Sequence, residues 1–99
     1  MWRKNRQSQP GSICKGTDPN RNFGVGFGGP GTSSNPCLDT YRGPSAYSTA
    51  EATAMRDALA ANRGRVKAAI SIHSYSQYWM SPYAYKDDLP DDYPEMVRW

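Results

Sequence analysis

The sequence predicts an α/β fold, and three observations predict it. Ser48-Thr49-Ala50-Glu51 has the spacing of a capping box, and an Ala-rich stretch follows it. Gly64, after Asn62-Arg63, stands where that stretch should stop. Val66-Lys67-Ala68-Ala69-Ile70-Ser71-Ile72 then alternates Val66, Ala68, Ile70 and Ile72 with Lys67, Ala69 and Ser71, the pattern of a short strand. Helix, glycine and strand in that order form the return half of an α/β unit. In a largely parallel sheet such a strand is buried on both faces.

The helix is read from about Ser48 to Asn62. In the capping box the Ser48 hydroxyl accepts from the Glu51 N–H while the Glu51 side chain reaches back. Met55 and Leu59 lie four apart, with Ala52 one turn earlier, and are read as the buried face. Upstream, residues 1–13 are polar and irregular, and Pro10-Gly11 is a turn signal. Gly16–Phe23 is compatible with a short strand. Residues 24–36 include Gly24, Gly26, Gly28, Gly29 and Gly31 with Pro30 and Pro36, a composition that supports only a long loop. Arg42-Gly43-Pro44-Ser45 is another turn. Downstream, Tyr75, Tyr78, Trp79, Tyr83 and Tyr85 form an aromatic cluster read mainly as packing. Asp92-Tyr93-Pro94-Glu95 reads as a second helix start, with Pro94 in the first turn and the second turn reaching Trp99.

The chain has 99 residues and a formal charge of +3; its pI is about 9.0 and its mean hydropathy −0.81. Basic residues crowd the first part (Arg3, Lys4, Arg6, Lys15, Arg21) and acids crowd Asp87–Glu95. The basic run is read as a solvated or ligand-facing arm, and a nucleic-acid partner is not expected. No apolar stretch approaches the ~20 residues that span a membrane, so no membrane partner is expected either. Met1-Trp2-Arg3-Lys4 has no apolar run behind it of the kind a secretion signal carries.

Cys14 and Cys37 admit one pairing. The alternatives are that disulfide or two free thiols. The disulfide is favoured because the Gly/Pro-rich loop between them buries little apolar surface, and closing it stabilises the fold by about 3 kcal/mol in the chain-entropy description. His73, the only histidine, follows the predicted strand. Ligands of open α/β sheets bind off the carboxyl ends of strands, which makes this a place to look for a site.

Three motifs in register then carry a resemblance: Met1-Trp2-Arg3-Lys4, Asp18-Pro19-Asn20-Arg21-Asn22 and Ser71-Ile72-His73-Ser74-Tyr75-Ser76-Gln77. Together with the placement of the two cysteines they resemble the zinc metallocarboxypeptidases of the carboxypeptidase A/B type. The resemblance runs through essentially the whole chain and is least specific over the last dozen residues. It implies a mixed, mainly parallel sheet flanked by helices, of which residues 1–99 are a central and incomplete part of the catalytic domain, truncated at both ends. The secreted-type chemistry without a secretion signal fits that expectation.

The resemblance also implies roles. His73 matches a zinc ligand. Arg3 matches the arginine that stabilises the oxyanion, and Asn20 and Arg21 match the pair that grips the substrate's free C-terminal carboxylate. Ser74 and Tyr75 match residues lining the substrate cleft, and Cys14 and Cys37 match the family's disulfide. The Ser74–Tyr75 and Pro82–Tyr83 peptide bonds are implied to be cis. These residue types suit the chemistry. Arginine's planar fork recognises carboxylates bidentately, and a donor aimed at a developing oxyanion is worth about 10²–10³ in rate.

The implied activity is release of single C-terminal residues from peptides or proteins by zinc-activated water, in a secreted protein that is a monomer at full length. One Zn2+ is expected per intact domain, with its remaining ligands (a His and a Glu of a His-x-x-Glu motif) outside this chain. The general-base glutamate and the specificity pocket are expected there too. The 99 residues alone are therefore expected neither to hold zinc tightly nor to hydrolyse peptides. The alternatives are a secreted, non-catalytic relative that binds peptides and, more remotely, a small basic binding module. Retention of Arg3, Asn20, Arg21 and His73 favours the enzyme.

Overall fold

The computed structural model describes residues 1–98 and divides into two compact units, Met1–Lys67 and Ala68–Trp99. The expected extension of the second helix to Trp99 falls outside the described residues.

In the first unit the N-terminal arm folds back on the residues before a short turn of 3-10 helix, Pro19–Arg21. Asn5 N–H donates to Thr17 O at 2.9 Å, Gly16 N–H to Gln7 O at 2.8 Å, and Ser8 and Lys15 form an isolated antiparallel bridge. The approach requires glycine at position 16: its φ is +84°, and a Cβ there would strike the Asn5 carbonyl. The Cys14–Cys37 disulfide is formed. Beside it, buried Lys4 donates from Nζ to Pro36 O at 2.6 Å, tying the arm to the end of the Gly-rich loop.

The interior of this unit is polar. Its buried hydrophobic residues are Tyr41 and Ala52, whereas Lys4, Gln9, Thr17, Asp18, Asn22 and Thr49 are buried polar or charged. Burying such groups is tolerated only when each is hydrogen-bonded, and among the described residues no buried side-chain nitrogen or oxygen lacks a partner. Fully buried Asn22 does most of the joining. Its Nδ2 group lies 2.7 Å from Arg42 O, 2.9 Å from Ser45 O and 2.8 Å from Ser48 Oγ. Its Oδ1 accepts from Thr49 N–H at 3.0 Å.

That network corrects the predicted cap. Helix α1 runs Ala50–Ala61, and its N-cap is Thr49, whose hydroxyl accepts from Ala52 N–H. Ser48 Oγ faces Asn22, so the Ser48–Glu51 capping box does not form. Glu51 lies in the first turn, where its carboxylate accepts from Asn5 Nδ2 at 3.1 Å. The helix ends at Ala61, with Asn62 as C-cap and Gly64 at φ +78°, close to the predicted stop. The buried face is narrower than expected. Ala52 is buried, but Met55 and Leu59 are 54% and 48% exposed; a helix buries an apolar stripe only against another layer, and among the described residues no sheet provides one.

The predicted strands are likewise not formed among the described residues. Residues 66–72 have no regular secondary structure and are exposed, as are Ile70 and Ile72. Gly16–Phe23 passes through the 3-10 turn instead. A strand exists only through its ladder, and these segments have no partner strand among the described residues. In the second unit α2 spans Tyr93–Met96 with Pro94 in the first turn, as predicted; Asp92 stands at the N-cap position and its side chain makes no capping hydrogen bond. The aromatic cluster is not packed: Tyr75, Tyr78 and Trp79 are exposed, and the contact within it is a tilted Tyr83–Tyr85 pair with centroids 5.7 Å apart. The Ser74–Tyr75 and Pro82–Tyr83 bonds are cis.

Candidate active site

Asp18 joins the candidate site residues of the first unit. An aspartate followed by proline is a good start for a helical turn, because the carboxylate caps a free N–H and proline needs none. Here Asp18 Oδ1 accepts from Asn20 N–H at 3.0 Å. The Asp18 carbonyl accepts from Arg21 N–H at 2.9 Å. The other carboxylate oxygen, Oδ2, accepts from Arg3 Nε at 2.8 Å. One carboxylate therefore fixes both the turn that carries Asn20-Arg21 and the side chain of Arg3, fifteen residues earlier. The Asp18 side chain is 3% exposed, against 45% for Arg3.

The donors left over are chemically suggestive. Arg3 is held through Nε, and among the described residues its two terminal amino groups have no protein acceptor. Arg21 is held through Nε to Gly31 O at 2.9 Å and through Nη1 to Asn20 O at 3.2 Å, leaving Nη2. Asn20 is anchored by its backbone, and its side-chain amide makes no hydrogen bond among the described residues. Two guanidinium groups and an amide, anchored from behind and half-exposed in front, suit an anionic or carbonyl-bearing ligand.

His73, Ser74 and Tyr75 lie consecutively in the second unit and are exposed. His73 Nε2 lies 2.9 Å from Ser71 Oγ, and its Nδ1 has no protein partner among the described residues. The imidazole is one suitable metal donor. No group of three His, Cys, Asp or Glu side chains gathers among the described residues, so they do not by themselves complete the three-ligand set a catalytic zinc needs.

Sequence reasoning gave no role to Asp18 or Asn22, although both stand inside the quoted Asp18–Asn22 motif. Asp18 was detectable from the Asp-Pro start of its turn. Nothing local marks Asn22, whose partners lie 20 to 27 residues away.

Comparison with known proteins shows the family. Residues 1–99 match the Zinc carboxypeptidase family. Carboxypeptidase A2 of Mus musculus is 53% identical over 96 residues, covering 97% of this chain and 23% of that protein. Carboxypeptidase A1 of Sus scrofa is 50% identical and carboxypeptidase B of Rattus norvegicus 45%, with the same coverage. The chain thus spans about a quarter of the length of the curated relatives it matches. Among solved structures, bovine thrombin-activatable fibrinolysis inhibitor, in complex with tick carboxypeptidase inhibitor, superposes with a TM-score of 0.89 at 42% identity, over 97% of this chain and 33% of that one. Carboxypeptidase A from Helicoverpa armigera gives 0.84 at 38% identity, over 95% and 23%. The fold neighbours and the sequence relatives agree, and the chain belongs to the zinc carboxypeptidase family.

Proposed function

We propose that this chain is the part of a secreted zinc metallocarboxypeptidase that grips the substrate's C-terminus and stabilises the oxyanion. The observation that carries the reading is the shared anchoring of Arg3 and the Asn20-Arg21 turn by Asp18. An exopeptidase must recognise a terminal carboxylate and, beside it, the carbonyl under attack. Arg21 and the Asn20 amide take the carboxylate, and Arg3 offers its terminal N–H groups to the carbonyl oxygen. A donor already fixed in place adds most where charge develops, because nothing must reorganise as it does. Ser74 and Tyr75, next to His73 in the sequence, are the residues this reading assigns to substrate contact. Exposed Tyr75 offers an apolar ring with a hydroxyl at its tip.

Membership of the family implies zinc. His73 is the ligand this chain contributes, with the remaining ligands elsewhere in the intact protein. The bound metal supplies a Lewis acid and an activated water. Residues 66–72 become an inner strand of the mixed sheet there; exposed Ile70 and Ile72, in alternation with Ser71, support this. The Cys14–Cys37 disulfide supports an oxidising, extracellular setting. No helix among the described residues is long and apolar enough to cross a membrane.

The test uses the purified intact protein and a short peptide. Single residues should appear from the peptide's C-terminus, a chelator should stop their release, and added zinc should restore it. His73→Ala should not be restored. Turnover indifferent to chelation, or a folded, zinc-loaded protein that binds peptides without cutting them, would contradict the proposal; the second result identifies the non-catalytic binding relative.

A further inference from the structure

We infer that Asp18 is a positioning residue for the reaction, acting through Arg3, and that its charge rather than its capping bond is what the reaction needs. The inference rests on the proposed carboxypeptidase activity and adds to it a residue with no direct contact with substrate.

Three observations carry it. First, the two oxygens of the carboxylate do separate jobs: Oδ1 caps the 3-10 turn at Asn20 N–H, and Oδ2 receives Arg3 Nε at 2.8 Å. Second, the partners differ in freedom. Asp18 is buried and Arg3 is half-exposed, so the aspartate is the fixed point and the arginine the group it aims. Among the described residues Arg3 has no other side-chain hydrogen bond, so without Asp18 Oδ2 its long stem has no fixed orientation. Third, the bond is to Nε. A guanidinium gripped there keeps both terminal amino groups available and its plane set, which is the requirement for a donor that meets an oxyanion. The exposed edge of Arg3 is therefore preorganised from the side away from the ligand.

The two jobs can be separated by substitution. Asp18→Asn leaves an oxygen for Asn20 N–H and turns an amide toward Arg3 Nε, so two donors face each other and the grip is lost. In the intact enzyme the expected result is a fall in kcat of about 10- to 100-fold, with KM for a free-carboxylate peptide nearly unchanged, because displacement of a catalytic donor acts on the transition state. In an Arg3→Ala background the same change should lower kcat little further, since one unit is lost only once. A merely structural role predicts otherwise: lower thermal stability or yield, with kcat per folded molecule preserved and additive effects in the double variant. That pattern would overturn the inference.

Arg3→Lys provides a second route should Asp18→Asn not fold. A lysine ammonium cannot be held at one nitrogen and donate from two others, so its kcat should fall nearly as far as that of Arg3→Ala; retention of most of the wild-type kcat would also overturn the inference. Failure of the underlying function has a different signature: wild-type protein without turnover, or Arg3→Ala with unchanged kcat.

Discussion

Asn22 Nδ2 lies 2.8 Å from Ser48 Oγ, joining the end of the Asn20-Arg21 turn to the residue before the N-cap of α1. The contact passes through a tight point. Gly43 has φ +83°, and a Cβ there would sit 2.6 Å from Ser48 Oγ and 2.8 Å from Asn22 Nδ2. Asn22→Ala removes one side chain and leaves two carbonyls, a hydroxyl and the Thr49 N–H to find other partners. Each buried group so orphaned costs about 1–3 kcal/mol, and the intact protein should lose about 3 kcal/mol in denaturant unfolding, after partial rescue by water. A loss below about 0.5 kcal/mol, the range of ordinary surface changes, would show that the polar interior is not held through Asn22.

The disulfide should matter more than the apolar burial around it. Cys14 and Cys37 are 23 residues apart and enclose the Gly-rich loop. Closing a loop of that length restricts the unfolded chain by about 3 kcal/mol. The Cys14→Ser, Cys37→Ser double variant of the intact protein should lose stability of that order. Because Lys4 is bonded to Pro36 beside the bridge, it should also show faster amide exchange along residues 4–7. Unchanged exchange there would separate the loop from the arm.

The carboxyl of Glu51 is held below its ordinary value of 4.5, first by its own backbone N–H and then by the Asn5 amide. A depressed carboxylate contributes stability that is fully present above 4.5 and is lost as pH falls through the folded value. Glu51→Gln should therefore lower the plateau above pH 4.5 slightly, flatten the fall below it and leave the acid limit nearly unchanged. The group is exposed, so water screens the effect and it should be small. An unaltered slope below pH 4.5 would remove Glu51 from the acid response.

Elements that rest on neighbours in sequence were legible in it. The span of α1, its stop before Gly64 and the start of α2 at Tyr93, with Pro94 in its first turn, follow from caps and breakers that act over one turn. The cap itself was misplaced by one residue, because Asn22, far along the chain, competes for Ser48. Residues 66–72 show the other limit: alternation marks what a segment would bury, not whether a partner strand is at hand. Arg3, Asn20, Arg21 and His73 stand out in the sequence as motif residues. Asp18 was visible only as a local cap, since its bond to Arg3 is a tertiary contact that no spacing rule encodes.

Recognition of a free C-terminal carboxylate by Asn20 and Arg21 can be tested by offering the intact protein one peptide in two forms, with a free and with an amidated C-terminus. Only the free form should be cut efficiently, and Arg21→Ala should lower kcat/KM for it by about 100-fold, the worth of a charge-assisted pair, while leaving the poor rate on the amide unchanged. Equal cleavage of both forms, or an Arg21→Ala variant whose preference for the free carboxylate is undiminished, would show that this pair does not recognise the C-terminus.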